Sequence, residues 1–454
     1  MIVMKFGGTS VENSGAMLTV SRIVQRSIDK KPLVVISACA GVTNSLITIA
    51  RSSHDGAKAK ALDIVHQLRL RHRKIAHDLF SGDLLFTVQS QIDAMFDELR
   101  DLSRSIAILG ELTDRSLDTF MSFGEKLSTL LLFHQFVRDG MRAVLVNAQE
   151  VVVTNGDFTR AVPLMDQIEE KATTIIRPKI DSGQVVITQG FLGATASGTP
   201  TTIGRGGSDY SAALLGAALD AEEIQIWTDV DGVMSCDPSI IKEAELIEEL
   251  TFREAAEIAY FGARVLHPAT ILPAIQKNIP VRVLNSKRPE AKGTVIVREV
   301  TKRIQRPVKA IACKKQITLI NIESTRMLMM HGFLARVFEV FAKYQKSVDV
   351  IATSEVSLSL TVDNHENLDE MFQELRLIAD VQVSKNKAVF CVVGENLKNS
   401  RGVITRIFST LDLNKINVGL ISLGASEINV TFVVDEQDAD RTAQALHDEF
   451  FSKA

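Results

Sequence analysis

Two textures of apolar residues alternate over residues 1–285. Short, nearly continuous β-branched and apolar runs occur at Ile2–Phe6, Leu33–Ser37, Ala143–Asn147, Val185–Gln189, Ile224–Thr228 and Val281–Asn285. Most are bounded by Gly, Asn or Thr, the pattern of strands buried on both faces. Between them, apolar residues recur every three or four positions, which predicts helices over Met17–Lys30, Ala57–Phe80, Val88–Leu109 and Ser116–Arg138. Strand–helix alternation on this scale predicts an α/β domain, a mostly parallel sheet sandwiched by helices. Segments 57–80 and 88–109 follow one another with no strand between them and read as a helical hairpin beside the sheet.

After Lys287 the pattern changes. The polar, Pro- and Gly-containing stretch Ser286–Gly293 reads as a linker. Beyond it lies an internal repeat. Gly332-Phe333-Leu334-Ala335-Arg336-Val337-Phe338 is matched by Gly402-Val403-Ile404-Thr405-Arg406-Ile407-Phe408, and Ser354–Asp363 by Ser426–Asp435. Each copy reads strand, helix, strand, tight turn, alternating strand, helix, the last helix being Asp438–Phe450. That is a small α+β unit of about 70 residues with helices on one face of an antiparallel sheet. So thin a core favours pairing the two copies sheet to sheet.

Composition narrows the function classes. The 454 residues are 46% hydrophobic and 23% charged, with 51 Lys and Arg against 55 Asp and Glu, a net charge of −4. No basic excess exists to hold nucleic acid or an anionic membrane. An anionic substrate must therefore meet a few placed cations. Cys39, Cys236, Cys313 and Cys391 are widely spaced, without a zinc pattern or a disulfide framework, and read as reduced thiols. No secretory leader is visible at the N-terminus, and no apolar run approaches the roughly 18–20 residues of a membrane span. A cytoplasmic protein is expected, with no resident metal.

Three glycine-rich segments stand at strand ends: Lys5-Phe6-Gly7-Gly8-Thr9-Ser10, Ser37–Asn44, and Gly204-Arg205-Gly206-Gly207-Ser208-Asp209. Glycines let backbone N–H groups approach an anion, and the third segment opens a helix whose dipole favours negative charge. None fits the G-x-x-x-x-G-K-[ST] loop or G-x-G-x-x-G. Lys5 at the mouth of a parallel sheet suits a polyphosphate whose charge spreads during transfer. Thr228-Asp229-Val230-Asp231-Gly232 closes another strand with two carboxylates, and lacks the glycine and glutamate spacing of a calcium loop.

Taken in order with Phe123-Gly124-Glu125-Lys126-Leu127-Ser128, Thr188-Gln189-Gly190-Phe191 and Phe261–Pro268, these segments make the chain resemble, end to end, the aspartate kinases of the amino-acid kinase family. The C-terminal duplication resembles their paired ferredoxin-like ACT domains, in the monofunctional, lysine-inhibited type. The resemblance implies a catalytic domain over residues 1–290, a first ACT domain over 315–385, and a second built from 300–314 plus 386–454, with Val308–Lys314 adding a strand to it. It implies ATP- and Mg²⁺-dependent phosphorylation of the β-carboxylate of L-aspartate, the first step toward lysine, threonine and methionine. The chain's end shortly after the second ACT unit implies no appended homoserine dehydrogenase.

For the site, the resemblance assigns Lys5 and Asp209 to catalysis. Glu125 would take the substrate ammonium and Arg205 its α-carboxylate, with Thr43, Gly206, Gly207 and Ser208 as further substrate contacts. Lys5, Phe6, Gly7 and Gly8 would hold the ATP phosphates, and Thr228, Asp229, Met234, Ser239, Arg264 and Val265 the rest of the nucleotide. Met234, Ser239 and Arg264 depart from the tyrosine, arginine and lysine common in relatives. The implied effector positions are Met327, Met330, Phe333, Leu334, Val348, Asp349, Ser354 and Glu355, at an ACT-mediated homodimer interface that could assemble further into a tetramer. A glutamate 5-kinase lacks the ACT tail, and a non-catalytic amino-acid sensor would not need Lys5, Glu125, Arg205 and Asp209 together.

Overall fold

The computed structural model describes residues 1–204, 206–262, 268–300, 306–324, 331–363, 368–423 and 427–452. The chain divides into two compact units: Met1–Val233 with Glu248–Phe252 and Val265–Val300, and Met234–Ile247 with Arg253–Arg264 and Thr301–Ala454.

In the first unit, among the described residues, eight strands form one sheet: β1 (Ile2–Phe6), β2 (Pro32–Ile36), β3 (Ala143–Val146), β4 (Val185–Gln189), β5 (Glu223–Thr228), β6 (Glu249–Thr251), β7 (Val281–Asn285) and β8 (Thr294–Val297). Their order is β3-β4-β2-β1-β5-β7-β8-β6, and every pairing is parallel except β7 with β8. All six strands expected from the apolar runs are present, with ends shifted by a residue at most.

Alternation along β1 divides its side chains between two layers. Ile2, Met4 and Phe6 join Val34, Ile36, Val185, Ile187 and Trp227 in a core built with the helices α1 (Ser14–Gln25), α2 (Val42–His54), α3 (Lys58–Leu79), α4 (Gly82–Leu109) and α5 (Asp114–Arg138). Val3 and Lys5 face the other way, toward α6 (Gly207–Ala218), where Gly216 lies against Ile224 and Val3. The α3–α4 hairpin expected from sequence is present, bridged by Arg69 to Asp93 (2.8 Å) and Asp97 (3.0 Å).

The linker expectation at Ser286–Gly293 is overturned. The stretch is the turn of the antiparallel β7–β8 hairpin, with Val281 opposite Ile296 and Val283 opposite Thr294. Pro, Gly and polar residues mark a tight turn as readily as a linker. Only the strand that follows, and its partner, distinguish the two.

The second unit carries a six-stranded antiparallel sheet of β9 (Ala310–Glu323), β10 (Ile351–Thr353), β11 (Ser357–Asp363), β12 (Asp380–Val393), β13 (Val418–Ser422) and β14 (Asn429–Asp435), in the order β10-β11-β9-β12-β14-β13. The outer strands of the two repeats meet, Ser422 Oγ donating to Ile351 O at 3.3 Å. The repeats share β9 and β12, two 14-residue strands that pair along most of their length. Register shifts between Lys314 and Leu319 separate two halves. One half packs α7 (Phe333–Lys343) and α8 (Leu368–Arg376) around Ile320, Leu358 and Phe372. The other packs α9 (Val403–Leu413) and α10 (Ala439–Phe451) around Ile311, Phe390 and Phe432. Cys236 and Ile241, from the 234–247 segment, complete that second core.

The 234–247 and 253–264 pieces therefore cluster with the second unit, although they lie inside residues 1–290. Glu254, on the Phe252–Tyr260 helix, forms a 2.8 Å ion pair with Lys309, both side chains 2% exposed. No helix of the described residues is long and apolar enough to cross a membrane.

Phe6 is fully buried and stacks on Trp227 with ring centroids 5.8 Å apart. Phe6→Ala is expected to cost about 3–5 kcal/mol. Urea unfolding followed by fluorescence of the single tryptophan, Trp227, reads this directly.

Candidate active site

Strand β1 lies between β2 and β5, so the loops leaving its two neighbours open a crevice at its carboxyl end. Lys5, one residue before the end of β1, points toward α6 and meets Asp209 in that helix's first turn at 2.6 Å. Both side chains are largely buried, 10% and 15% exposed. An ammonium on the central strand of a buried sheet needs such a partner, because leaving it uncompensated costs several kcal/mol.

The glycine loops pack against one another at this end. A Cβ on Gly8 would sit 2.9 Å from the Ala38 carbonyl oxygen, and one on Gly190 only 2.6 Å from the Ser208 Cβ. The Gly7 N–H donates to Trp227 O at 3.0 Å, the Ala40 N–H to Gly8 O at 3.1 Å, and the Gly190 N–H to Ile36 O at 2.8 Å. Arg71, on α3, clamps two of these loops from outside, donating to Ala40 O (2.9 Å) and Glu12 O (3.1 Å).

Glu125 arrives from α5. It is 3% exposed; Oε1 accepts the Ala38 N–H at 3.1 Å, and the buried Oε2 has no hydrogen-bond partner. Burial pushes its carboxyl up to about 8, partly offset by the Ala38 N–H and by Lys5. A buried acceptor left open in a crevice is ready for a donor, and an ammonium is the strongest available.

The expected residues are distributed as follows. Lys5, Gly7, Gly8, Thr43, Glu125, Gly206, Gly207, Ser208, Asp209, Thr228 and Asp229 all belong to the first unit. The Phe6 side chain is core, and its carbonyl accepts the Ser37 N–H at 3.2 Å. Thr228 donates to Asp229 at 3.3 Å, in a turn tied to β7 by Ser286 Oγ donating to Thr228 O at 3.0 Å. Met234 and Ser239 fall in the second unit, Ser239 exposed with its N–H on Asp237. Arg205, Arg264 and Val265 lie outside the described residues, as do Met327 and Met330.

Among the other effector positions, Phe333 is buried in the first-half core and Val348 packs against it; Leu334, Ser354 and Glu355 are exposed. Asp349, with its side chain 3% exposed, pairs with Lys314 at 3.2 Å and accepts the Tyr260 hydroxyl at 2.7 Å. Burial raises its carboxyl. Sequence reasoning missed Arg71, Lys314 and Tyr260, whose partners lie far away in the chain. It also missed Asp118, a fully buried carboxylate on α5. All four cysteines are free thiols; burial holds the Cys39 thiol up at about 12.

The parallel sheet with a lysine–aspartate pair at its switch point defines a phosphoryl-transfer class, and the chain belongs to the amino acid kinase family, whose model matches residues 1–285. An ACT domain model matches residues 390–450. Within the kinase family the chain belongs with the aspartokinases. Aspartokinase 1, chloroplastic, from Arabidopsis thaliana is 39% identical over 99% of this chain and 80% of its own length. The lysine-sensitive aspartokinase 3 of Escherichia coli is 36% identical over 99% of both. Two structures of E. coli aspartokinase III, one with aspartate and ADP (R-state) and one with lysine and aspartate (T-state), each match with a TM-score of 0.84 at 35% identity over the whole of both chains.

Glu125 generates a stability prediction. Between its ordinary value of 4.5 and about 8, the folded chain keeps a proton that the unfolded chain has released. The stability linked to that proton is full below 4.5 and is lost as pH rises through about 8. Glu125→Gln removes the titration, so its urea midpoint relative to wild type should be higher at pH 8.5 than at pH 5. An unchanged difference would show that Glu125 ionises normally.

Proposed function

We propose that this chain transfers the γ-phosphoryl group of ATP to the β-carboxylate of L-aspartate, giving 4-phospho-L-aspartate and ADP, under feedback control by lysine. The observation that carries the site assignment is the unfilled Glu125 Oε2 beside the Lys5–Asp209 pair.

Glu125 takes the substrate ammonium, and Arg205 takes its α-carboxylate through a bidentate pair. Thr43 and the Gly206–Ser208 segment complete the substrate side. A β-carboxylate oxygen attacks the γ-phosphorus, the bond to the β–γ bridging oxygen breaks, and ADP leaves. The attacking carboxylate is already ionised at neutral pH, so no general base is required. Lys5, fixed in place by Asp209, meets the charge that spreads over the transferring phosphoryl oxygens. Gly7 and Gly8 admit the phosphates, and Thr228 and Asp229 stand on the nucleotide side.

Among the described residues, no group of three or more His, Cys, Asp or Glu could cage a metal ion. Mg²⁺ enters with its nucleotide, as the MgATP substrate, since Mg²⁺ is commonly held by phosphates, water and one or two carboxylates.

For the effector, Asp349 and Glu355 supply carboxylates for two ammonium groups. The N-terminus of α7, capped by Gly332 at φ 82, the counterpart of Gly402 in the second repeat, offers Phe333 and Leu334 backbone N–H groups to a carboxylate. Ile351 on β10, Ile421 on β13 and, just beyond, Leu423 are exposed apolar residues that suit a homodimer through the ACT units, with a tetramer as the larger assembly.

Purified protein with MgATP should form acyl phosphate, trapped as a hydroxamate, from aspartate and not from glutamate. Product from neither, or equal product from both, defeats the assignment. Lys5→Ala should lower kcat by about two decades or more, the scale of losing one charge-stabilising group. Glu125→Gln should chiefly raise the aspartate KM.

Lysine, titrated against threonine and methionine, should be the inhibitor. Asp349→Ala should raise its half-inhibiting concentration at least about tenfold, the cost of a lost charged hydrogen bond. Light scattering on the same sample should give the mass of two or four chains. Inhibition by threonine alone, or a monomer, would overturn this regulatory reading.

A further inference from the structure

Helix α5 carries a second buried carboxylate. Asp118 lies seven residues before Glu125, two helical turns and about 10 Å along the same face. It is 0% exposed. Its Oδ2 accepts the N–H groups of Thr159 (2.9 Å) and Thr202 (3.1 Å), and its Oδ1 accepts the Thr202 hydroxyl at 2.5 Å. Three donors from two chain segments, 41 and 84 residues away, thus converge on one side chain.

Those segments frame the substrate loop. Thr202 ends the strand Pro200–Thr202, and Gly206 opens α6 four residues later, followed at once by Gly207, Ser208 and Asp209. Thr159 has φ 69, a left-handed conformation that a β-branched residue adopts at a cost of about 1–2 kcal/mol. Its N–H is held there by Asp118. The two segments are also joined directly, the Ala161 N–H donating to Thr202 O at 2.9 Å. Gly204 lies against them, its Cβ position 3.6 Å from Thr159 O and Arg160 Cα. Within the core of the first unit, a buried carboxylate with this many donors is costly to desolvate, and an apolar residue would give a simpler junction.

We infer that Asp118 is a positioning residue for aspartate binding: it hangs the 159–161 and 202–204 segments from the helix that bears Glu125 and so sets the distance between the ammonium-binding carboxylate and the loop that opens α6. The inference rests on the reading of Glu125 as the ammonium ligand. The phosphate loop itself, at Gly7 and Gly8, is held by other contacts: the Trp227 carbonyl and the Ala40 N–H. Asp118 therefore acts on aspartate more than on ATP.

The geometry also separates two substitutions. Asp118→Ala takes the acceptor from two backbone N–H groups and from the Thr202 hydroxyl. Asp118→Asn can keep both on its carbonyl oxygen while its amide donates to the Thr202 hydroxyl, which accepts as readily as it donates.

The test is steady-state kinetics of the full chain by hydroxamate trapping, with each substrate varied in turn. Asp118→Ala should raise the aspartate KM at least tenfold and change the ATP KM less than twofold; Asp118→Asn should restore the aspartate KM to within about threefold of wild type. Amide hydrogen exchange in 157–161 and 202–209 should quicken in the alanine variant alone. Parallel changes in both KM values, or none, overturn the inference. If Asp118→Ala does not fold, Thr202→Val, which removes only the hydroxyl contact, decides: an unchanged aspartate KM overturns it and a selective rise supports it. A wild-type enzyme inactive on aspartate, or a Glu125→Gln variant with unchanged aspartate KM, would instead defeat the underlying reading.

Discussion

A lysine on the central strand of a parallel sheet is the constraint around which the first unit is arranged. β1 is flanked on both sides and covered on both faces, so every other position on it is apolar. Lys5 can occupy it only because alternation turns its side chain to the α6 layer, where Asp209 meets it at 2.6 Å. Removing one partner of such a pair leaves a buried charge uncompensated, at a cost of about 3–5 kcal/mol. The pair therefore ties the glycine loop after β1 to the glycine loop before α6. Each of these segments also packs closely against a third, Gly8 against Ala38 and Ser208 against Gly190, at distances that a Cβ on the glycine would block.

The rest of the crevice follows a different electrostatic rule. Lys5 and Asp209 neutralise each other, whereas Glu125 is buried with one oxygen unanswered. Burial keeps that carboxyl protonated near neutral pH. An incoming ammonium supplies both the missing donor and the opposite charge, so binding restores what folding left unsatisfied. Such a group lowers the stability of the empty protein at alkaline pH and raises its affinity for a cationic ligand, by the same interaction.

In the second unit the organising element is a pair of long strands. β9 and β12 run through both halves, so each repeat borrows strand length from the other. The 234–247 and 253–264 segments, which precede the repeats in sequence, are built into this unit: Ile241 in its core, Glu254 against Lys309, Tyr260 against Asp349. The carboxylate assigned to the effector thus holds an internal ammonium, Lys314, and a hydroxyl from the helix Phe252–Tyr260.

The sequence by itself determined the elements and the chemistry they carry. The β-branched runs marked the six major strands, the three- and four-residue spacing marked α1, α3, α4 and α5, and the glycine loops beside Lys5 and Asp209 marked the crevice, because periods of two and 3.6 are local properties. It could not separate the β7–β8 turn from a linker, since both use the same residues. Only the tertiary structure decided that Glu125 is buried and open on one side, that Arg71 clamps two loops, that Asp118 gathers donors from Thr159 and Thr202, and that the repeats share their strands. Each of these depends on segments tens of residues apart meeting in space, and burial with its effect on charge exists only once they have met.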